Sequence, residues 1–278
     1  MPYPLAKLPY GLRCRLTELT TPLERYKLQI AAGGASICPP KLQIIQERFH
    51  GLHFVYENGK VVVYKTVNHL SNAMPYKLNE NSLVLCTGLN ILTNFDSECW
   101  NSNVFGHFLY HPAMFAMSQC STIISEPFFE TMKKTLQEID YLDFSFNENV
   151  SQVDFTNLLT VFPNLKRFHI DIDVISTNWI SEILQVKNHS LQTLSLTFKH
   201  LTACYKLNSD ELVTFLKAQR PRFKLEIMAT SNDSDFHFTE IRQFLDQKLV
   251  PGPGRDEHEK RTCISIYYKK SHYWYVPS

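Results

Sequence analysis

From about residue 117 onwards, the hydrophobic pattern alternates between two periods. Segments of the form apolar-x-x-apolar-x-apolar indicate strands with one buried face, and the segments between them repeat apolar residues at i, i+3, i+4 and i+7, as amphipathic helices do. The clearest strand segments contain Ile139, Leu142, Phe144; Leu165, Phe168, Ile170; and Leu191, Leu194, Leu196. The clearest helix segment contains Phe155, Leu158, Leu159 and Phe162. This alternation predicts an α/β fold with parallel strands backed by helices.

The strand segments recur at a constant interval. Leu142, Phe168 and Leu194 are each 26 residues apart, within the range of roughly 20 to 29 residues of leucine-rich repeats. Weaker copies follow at Leu225 with Ile227 and at Ile264 with Ile266. A strand is predicted near Ile123, and Ser151 is a plausible N-cap for the helix that contains Phe155. Further helices are predicted near residues 126–138, 180–184, 212–216 and 241–245, and a loop at 250–261. The pattern predicts a leucine-rich-repeat-like solenoid over residues 117–278.

Two short helices are predicted at the start of the chain. In LPYGLRCRLTEL, the residues Leu8, Leu12, Leu16 and Leu19 fall on one helical face entered through Pro9. In TTPLERYKLQIAAGG, Thr21, Pro22 and Glu24 have the positions of a capping box, and Gly33-Gly34 marks the stop. Isolated helices of this length are marginal in water, so the pair needs a packing partner.

The middle of the chain gives fewer signals. HFVYENGKVVVYK at 53–65 predicts a β-hairpin with an Asn58-Gly59 turn, and a strand is predicted at 82–86. The rest of 66–116 has no assigned structure. The predicted organisation is a helical unit at 1–48, a hairpin and connecting region at 49–116 that starts the solenoid, and the repeat region at 117–278.

Composition narrows the class of protein. With 44% hydrophobic residues, 20% charged residues and a net charge of +1, the chain is typical of a globular protein and favours neither nucleic acid nor a membrane as partner. There is no signal-peptide pattern, and the longest nearly apolar run, 83–92, is too short to span a bilayer. A cytoplasmic or nuclear location is expected. The seven cysteines lack a C-x-x-C pair and are interpreted as reduced core residues.

Candidate catalytic chemistry is sparse. His107 and His111 have the i, i+4 spacing of metal ligands, but Pro112 interrupts a helix there and no H-E-x-x-H motif is present, which favours packed or surface histidines. No nucleophile elbow or phosphate-binding loop is found, so no cofactor is expected and an enzyme is the least favoured class. The aromatic residues near the end could stack nucleic-acid bases, although sealing the end of the solenoid is favoured: Tyr267, Tyr268, Tyr273, Trp274 and Tyr275.

The segment PLAKLPYGLRCRLTELTTPLERYKLQIAAGG resembles an F-box, in particular the divergent F-box of many nematode proteins that carry a degenerate repeat region behind it. Gly11 departs from this pattern, because many F-boxes have an acidic residue there. The resemblance implies binding to a Skp-type adaptor and, through it, to a cullin ubiquitin ligase. The implied adaptor-binding residues are Leu8, Pro9, Leu12, Leu16, Leu19, Pro22, Leu23, Tyr26 and Leu28.

The polar residues between the buried strand positions should bind a protein target. They are Tyr141, Asp143, Arg167, His169, Thr193, Ser195, Lys224 and Glu226. A substrate receptor of a Skp/cullin ligase is therefore expected. The alternative is a non-catalytic scaffold or inhibitor in which the two N-terminal helices only cap the repeats.

Overall fold

A computed structural model describes residues 5–32, 42–65, 74–96, 98–120, 126–136, 139–145, 147, 153–172, 178–198, 209–229, 235–252 and 261–277. The chain divides into two compact units, Met1–Ala113 and Met114–Ser278, which we call unit 1 and unit 2. The described residues form helices and strands in both units, and the strands of unit 2 are mostly parallel. The predicted α/β class is confirmed.

Unit 1 begins with two helices and continues as a small sheet. Its elements are α1 (Tyr10–Leu19), α2 (Pro22–Ala31), β1 (Glu47–Glu57), β2 (Lys60–Lys65), β3 (Met74–Pro75) and β4 (Val84–Thr93). Short 3-10 helices cover Cys99–Asn101 and Asn103–His107, and β5 (Phe108–Ser118) crosses the division. The strand order is β4-β1-β2-β3, with β1 parallel to β4 and antiparallel to β2.

The local signals of unit 1 form as the sequence predicts. The α2 capping box is present, since the Glu24 N–H donates to Thr21 Oγ1 at 3.3 Å and the Thr21 N–H donates to Glu24 Oε2 at 2.8 Å. The hairpin turn has φ of 50° at Asn58 and 77° at Gly59, as a type I′ turn requires. The predicted helix stop at Gly33-Gly34 lies outside the described residues.

The strand predicted at 82–86 is longer than expected and runs through Gly88 as β4. Gly88 has a φ of +86°, and a Cβ placed there would lie 2.2 Å from the carbonyl oxygen of His50. The register of β1 against β4 shifts between Phe49 and Gly51 at the same place. Gly88 therefore accommodates a β-bulge. The bulge interrupts the strand pattern in the sequence, so the pattern predicts the strand only up to residue 86.

Unit 2 alternates helices and strands. Its elements are α3 (Glu126–Thr135), β6 (Ile139–Phe144), α4 (Phe155–Val161), β7 (Arg167–Ile172), α5 (Trp179–Gln185), β8 (Thr193–Phe198), α6 (Ser209–Ala218), β9 (Lys224–Ala229), α7 (Asp235–Lys248), β10 (Val250–Gly252), β11 (Cys263–Tyr268) and β12 (Lys270–Tyr275). The strand order is β6-β7-β8-β9-β11-β12-β10. The first five strands are parallel, and β12 is antiparallel to both of its neighbours.

The strand register follows the sequence repeat. Leu142 lies opposite Phe168, and Phe168 lies opposite Leu194. The weaker copies continue the row, with Leu225 opposite Leu194 and Ile264 opposite Leu225. All five side chains are buried, so the positions that recur in the sequence form one continuous layer of the core.

Two local predictions in unit 2 are wrong. Ser151 was expected to cap α4, but the cap is Asp154, whose carboxylate accepts from the Asn157 N–H at 3.0 Å. Residues 250–261 were expected to be a loop throughout, but the first three form β10, in which Val250 pairs with Tyr275. Gly252 permits this pairing because a Cβ there would lie 2.2 Å from Cε2 of Tyr275. The strand expected near Ile123 lies outside the described residues.

Candidate functional site

The first candidate surface lies on the N-terminal helices. Leu12 is 56% exposed and Leu19 69%, and because they are seven residues apart they lie on the same side of α1. We call these two residues the N-terminal apolar surface. Tyr10 and Ile30 are exposed as well, at 61% and 62%, and none of the residues of α1 is buried. Exposed apolar side chains on one side of a helix are typical of a surface that another molecule covers.

The predicted adaptor-binding residues differ in their accessibility. Pro9, Leu12 and Leu19 are exposed. Five others are half-buried: Leu8, Leu16, Leu23, Tyr26 and Leu28. Pro22 is buried and is not accessible to a partner in this conformation. Tyr10 was not among the predicted residues, although its position in the first turn after Pro9 is the signal that could have identified it.

One side of α2 packs against unit 1 itself. Gly106, in the 3-10 helix Asn103–His107, allows close approach, because a Cβ placed on it would lie 2.7 Å from Cβ of Thr21. The guanidinium of Arg25 donates to Asn81 Oδ1 at 3.1 Å through both terminal nitrogens. Gln29 is only 6% exposed. The helix α2 is thus fixed on its own unit, whereas α1 has Leu12 and Leu19 exposed and Leu16 half-buried.

The second candidate surface lies on the strands of unit 2. The register brings all eight predicted target-binding residues into two adjacent rows, which we call the polar strand face. The first row is Tyr141, Arg167, Thr193 and Lys224, and the second is Asp143, His169, Ser195 and Glu226. Their spacing along each strand is two residues, so they share one side of the sheet.

His169 is the centre of the second row. Its Nδ1 lies 3.3 Å from Oδ1 of Asp143, and its Nε2 lies 2.9 Å from Oγ1 of Thr197 and 3.5 Å from Oδ1 of Asp171. Partial burial lowers the pKa of His169, but the hydrogen bond and charge of Asp143 and the charge of Asp171 outweigh it, and the net pKa is raised. The imidazolium form is therefore favoured.

Burial and hydrogen bonding also act in opposite directions on the pKa of Asp143, and the net pKa is lowered. Burial raises the pKa of this carboxyl group, but hydrogen bonds from His169 and Ser145 more than offset the effect. The order carboxylate, imidazole and hydroxyl along Asp143, His169 and Thr197 is that of a nucleophilic triad. The raised pKa of His169 favours its ion pair with Asp143, and in that imidazolium form the ring cannot take up the hydroxyl proton.

A second polar cluster surrounds Glu226. Ser195 Oγ donates to Glu226 Oε2 at 2.5 Å, and Lys224 Nζ lies 2.5 Å from Oε1. Burial raises the pKa of Glu226, but these two hydrogen bonds outweigh it and the net pKa is lowered. In the neighbouring row the guanidinium of Arg167 lies 4.6 Å from the ring centroid of Tyr141. The face is therefore held in one arrangement by its own contacts.

The eight residues do not all reach solvent. Asp143 is 8% exposed and Ser195 7%, so these two side chains orient their neighbours and are covered by them. Arg167 is exposed, and Thr193 and Lys224 are half-buried. Thr197 and Asp171 were not among the predicted residues, although both continue the strands of Ser195 and His169. The alternation of His169 with Asp171, and of Ser195 with Thr197, is the signal that could have found them.

The histidines and the C-terminal aromatic residues that the sequence singled out do not form a common site. His107 ends a 3-10 helix, where its Nδ1 lies 2.9 Å from the Ser82 carbonyl oxygen, and His111 is an exposed residue of β5. Within the described parts of the chain, no group of three or more histidine, cysteine or acidic residues could hold a metal ion. Three of the five aromatic residues near the end of the chain are buried: Tyr268, Trp274 and Tyr275.

The cysteines that the structure describes are free thiols: Cys14, Cys86, Cys99, Cys120 and Cys263. All but Cys14 are buried. Burial raises the pKa of Cys99 and of Cys263 to about 11, so these two are protonated near neutral pH and are poor nucleophiles.

Among the described residues, no helix is long and apolar enough to cross a membrane. Comparisons of the chain with protein-family models, with curated proteins and with solved structures gave no significant match. The proposed function is therefore based on the N-terminal apolar surface and the polar strand face.

Proposed function

We propose that this protein is an F-box-type substrate receptor, which links a protein target to a Skp/cullin ubiquitin ligase in the cytoplasm or nucleus. In this proposal α1 and α2 are the F-box-like unit that binds the adaptor. The strands of unit 2 are a leucine-rich-repeat-like solenoid whose polar strand face binds the target. The protein itself performs no chemistry.

The observation that carries the proposal is the N-terminal apolar surface. Full burial of a leucine-sized side chain contributes about 1.5–3 kcal/mol relative to full exposure. Leu12 and Leu19 retain most of their exposed area, so a partner that covers them gains much of this free energy. The resemblance of the segment to an F-box makes a Skp-type adaptor the partner of choice.

Target binding by the polar strand face is supported by the contacts that already position its side chains. Arg167 and Lys224 are positioned by Tyr141 and Glu226 respectively. Side chains that are already ordered lose less conformational entropy when a partner binds. Arg167 and Tyr141 are also of residue types that are enriched at protein interfaces.

The mechanism that follows is one of effective concentration. A receptor that holds a target near a ubiquitin-charged enzyme turns a bimolecular encounter into an intramolecular one. The receptor needs two separate binding surfaces for this and no catalytic group.

The second candidate function is that of a scaffold or inhibitor whose helices only cap the repeats. The packing of α2 through Thr21, Arg25 and Gln29 against its own unit favours this alternative for α2. It does not account for α1, none of whose residues is buried.

Co-purification with a Skp-type adaptor tests the proposal. We expect the wild type to bind and the double variant Leu12→Ala/Leu19→Ala to lose binding by about tenfold or more, because two apolar contacts are removed. Leu184→Ala on α5 is the matched control, since Leu184 is also an exposed leucine on a helix, at 36% exposure. It should bind like the wild type.

Two results would contradict the adaptor-binding function. One is a wild-type protein that fails to bind, and the other is a double variant that binds as tightly as Leu184→Ala. Either result would leave the scaffold as the better proposal. All three proteins should have the same midpoint of urea unfolding, because the substituted residues are exposed.

A further inference from the structure

A cluster in unit 1, which shares no residue with either surface, holds an ammonium group between two aromatic rings. Nζ of Lys65 lies 4.5 Å from the ring centroid of Phe49 and 4.7 Å from that of Tyr76. Glu47 adds a carboxylate, with Oε2 at 3.5 Å from Nζ. Its other oxygen accepts a hydrogen bond from the Tyr76 hydroxyl at 2.8 Å. We call these four residues the cation cluster.

The sheet of unit 1 positions the walls of the cation cluster. Glu47 and Phe49 are two residues apart on β1 and therefore point to the same side. Tyr76 directly follows β3, and its N–H donates to the Val63 carbonyl oxygen at 2.7 Å, which extends the pairing with β2. The two rings meet at 76° with centroids 5.3 Å apart. They form a corner that the carboxylate completes.

This corner is chemically suited to an organic cation. The face of an aromatic ring attracts a cation, and combinations of rings with a nearby charge are used to recognise quaternary and methylated ammonium groups. Burial, with the hydrogen bond to Glu47 and its charge, raises the pKa of Tyr76. Tyr76 therefore remains a neutral donor that holds the carboxylate in place.

Lys65 is not an optimal occupant of the corner. A primary ammonium is compact and strongly hydrated, and the Lys65 and Glu47 side chains are 37% and 44% exposed, so water reaches the pair. A methylated ammonium keeps the positive charge but binds water less strongly. It consequently loses less hydration when it enters between two rings.

We propose that Glu47, Phe49 and Tyr76 form a binding site for methylated ammonium groups, which Lys65 occupies while no ligand is bound. The site does not depend on the adaptor-binding or target-binding surfaces. Two sources could supply this chemistry, a free quaternary ammonium compound or a trimethyl-lysine side chain of a protein.

Ligand-observed NMR on the full-length chain tests the site with tetramethylammonium chloride as probe. Methyl protons held over ring faces shift upfield, a signature that binding away from aromatic rings does not give. We expect Lys65→Gln to bind the probe about tenfold more tightly than the wild type, because the internal competitor is removed. Lys60→Gln, an exposed lysine of the same strand, is the matched control and should bind like the wild type.

The double variant Lys65→Gln/Phe49→Leu removes one of the two rings and should lose the gain in affinity and part of the upfield shift. The proposal is overturned if Lys65→Gln binds no more tightly than Lys60→Gln, or if the double variant binds as tightly as Lys65→Gln with the full upfield shift. Circular dichroism and urea unfolding establish that each variant is folded. A trimethyl-lysine peptide that binds Lys65→Gln more tightly than the probe identifies a protein source, and equal binding identifies a free ammonium compound.

Discussion

The helices α1 and α4 have similar apolar patterns but different surroundings. The ten-residue helix α1 buries none of its residues, whereas the seven-residue helix α4 buries Phe155, Leu158, Leu159 and Val161. In α4 these side chains pack on the strands, with the Phe155 and Phe168 rings at a centroid distance of 6.0 Å. An amphipathic stripe thus predicts a helix but does not reveal what covers it. Of the two helices, α1 is therefore the one whose exposed apolar residues a partner can cover.

Alanine substitution in the two helices gives the largest effect and tests this comparison directly. Leu158 is 0% exposed and Leu12 is 56% exposed. We expect Leu158→Ala to lower the free energy of unfolding by about 2–5 kcal/mol, because it removes apolar contacts and leaves a cavity. Leu12→Ala should change it by less than about 0.5 kcal/mol.

Urea unfolding of the full-length chain, monitored by circular dichroism, measures both values. If Leu12→Ala is as costly as Leu158→Ala, then α1 is packed within its own chain. The comparison would then break down, and the N-terminal apolar surface would be part of the core. Similar slopes of unfolding free energy against urea concentration would establish that the two variants can be compared.

The sequence could predict the fold where a local apolar pattern repeats. The spacing of Leu142, Phe168 and Leu194 predicted the register of three strands, because a repeated local pattern places equivalent residues opposite one another. Apart from the strand at 82–86, residues 66–116 could not be assigned because their apolar residues follow no clear period in the sequence. There the rings of Trp100 and Phe105 stack at a centroid distance of 5.4 Å on 3-10 helices.

The candidate sites were predictable to a different degree. The two rows of the polar strand face follow from the repeat, but the hydrogen bond between His169 and Thr197 depends on rotamers that the sequence does not specify. The cation cluster was missed because its four residues come from separate segments and share no motif. The spacing of Leu12 and Leu19 does not indicate their exposure, since covered residues have the same spacing, and only the resemblance to an F-box implied that they are accessible.

A loss of unfolding free energy of intermediate size is expected when the N-caps of α2 and α4 are removed. Thr21→Ala removes the oxygen that accepts from the Glu24 N–H, and Asp154→Ala removes the one that accepts from the Asn157 N–H. Each should lower the free energy of unfolding by about 1 kcal/mol. Thr160→Ala is the control, because Thr160 is an exposed residue within α4 and does not cap it.

Equal losses at the two caps would show that α2 is as much a part of the cooperative fold as α4 is. If Thr21→Ala behaved like Thr160→Ala instead, α2 would contribute little to the stability of the chain. The packing of α2 on Gly106 would then be weak, and the helix pair would depend on a partner as a whole. Urea unfolding at one pH measures all three variants.

The smallest expected effect concerns one histidine in each unit. Carboxylates raise the pKa of His169 above its usual value of about 6.5, so its contribution to stability is fully present below that value and is lost as the pH rises through the folded-state pKa. Burial lowers the pKa of His53, whose Nε2 lies 2.9 Å from Oγ1 of Thr93. Its contribution is present above the unfolded-state value and is lost as the pH falls through the folded-state pKa.

The two histidines should therefore give pH dependences of opposite sign. We expect the difference in unfolding free energy between wild type and His169→Gln to decrease as the pH rises from below 6 to above 8, and that for His53→Gln to increase. Urea unfolding across this range measures both. A flat profile for His169→Gln would contradict the assignment of an ion pair with Asp143, because a neutral imidazole would form the same hydrogen bonds without a change of charge. The sign of each slope thus distinguishes the ionic face of unit 2 from the desolvated histidine of unit 1.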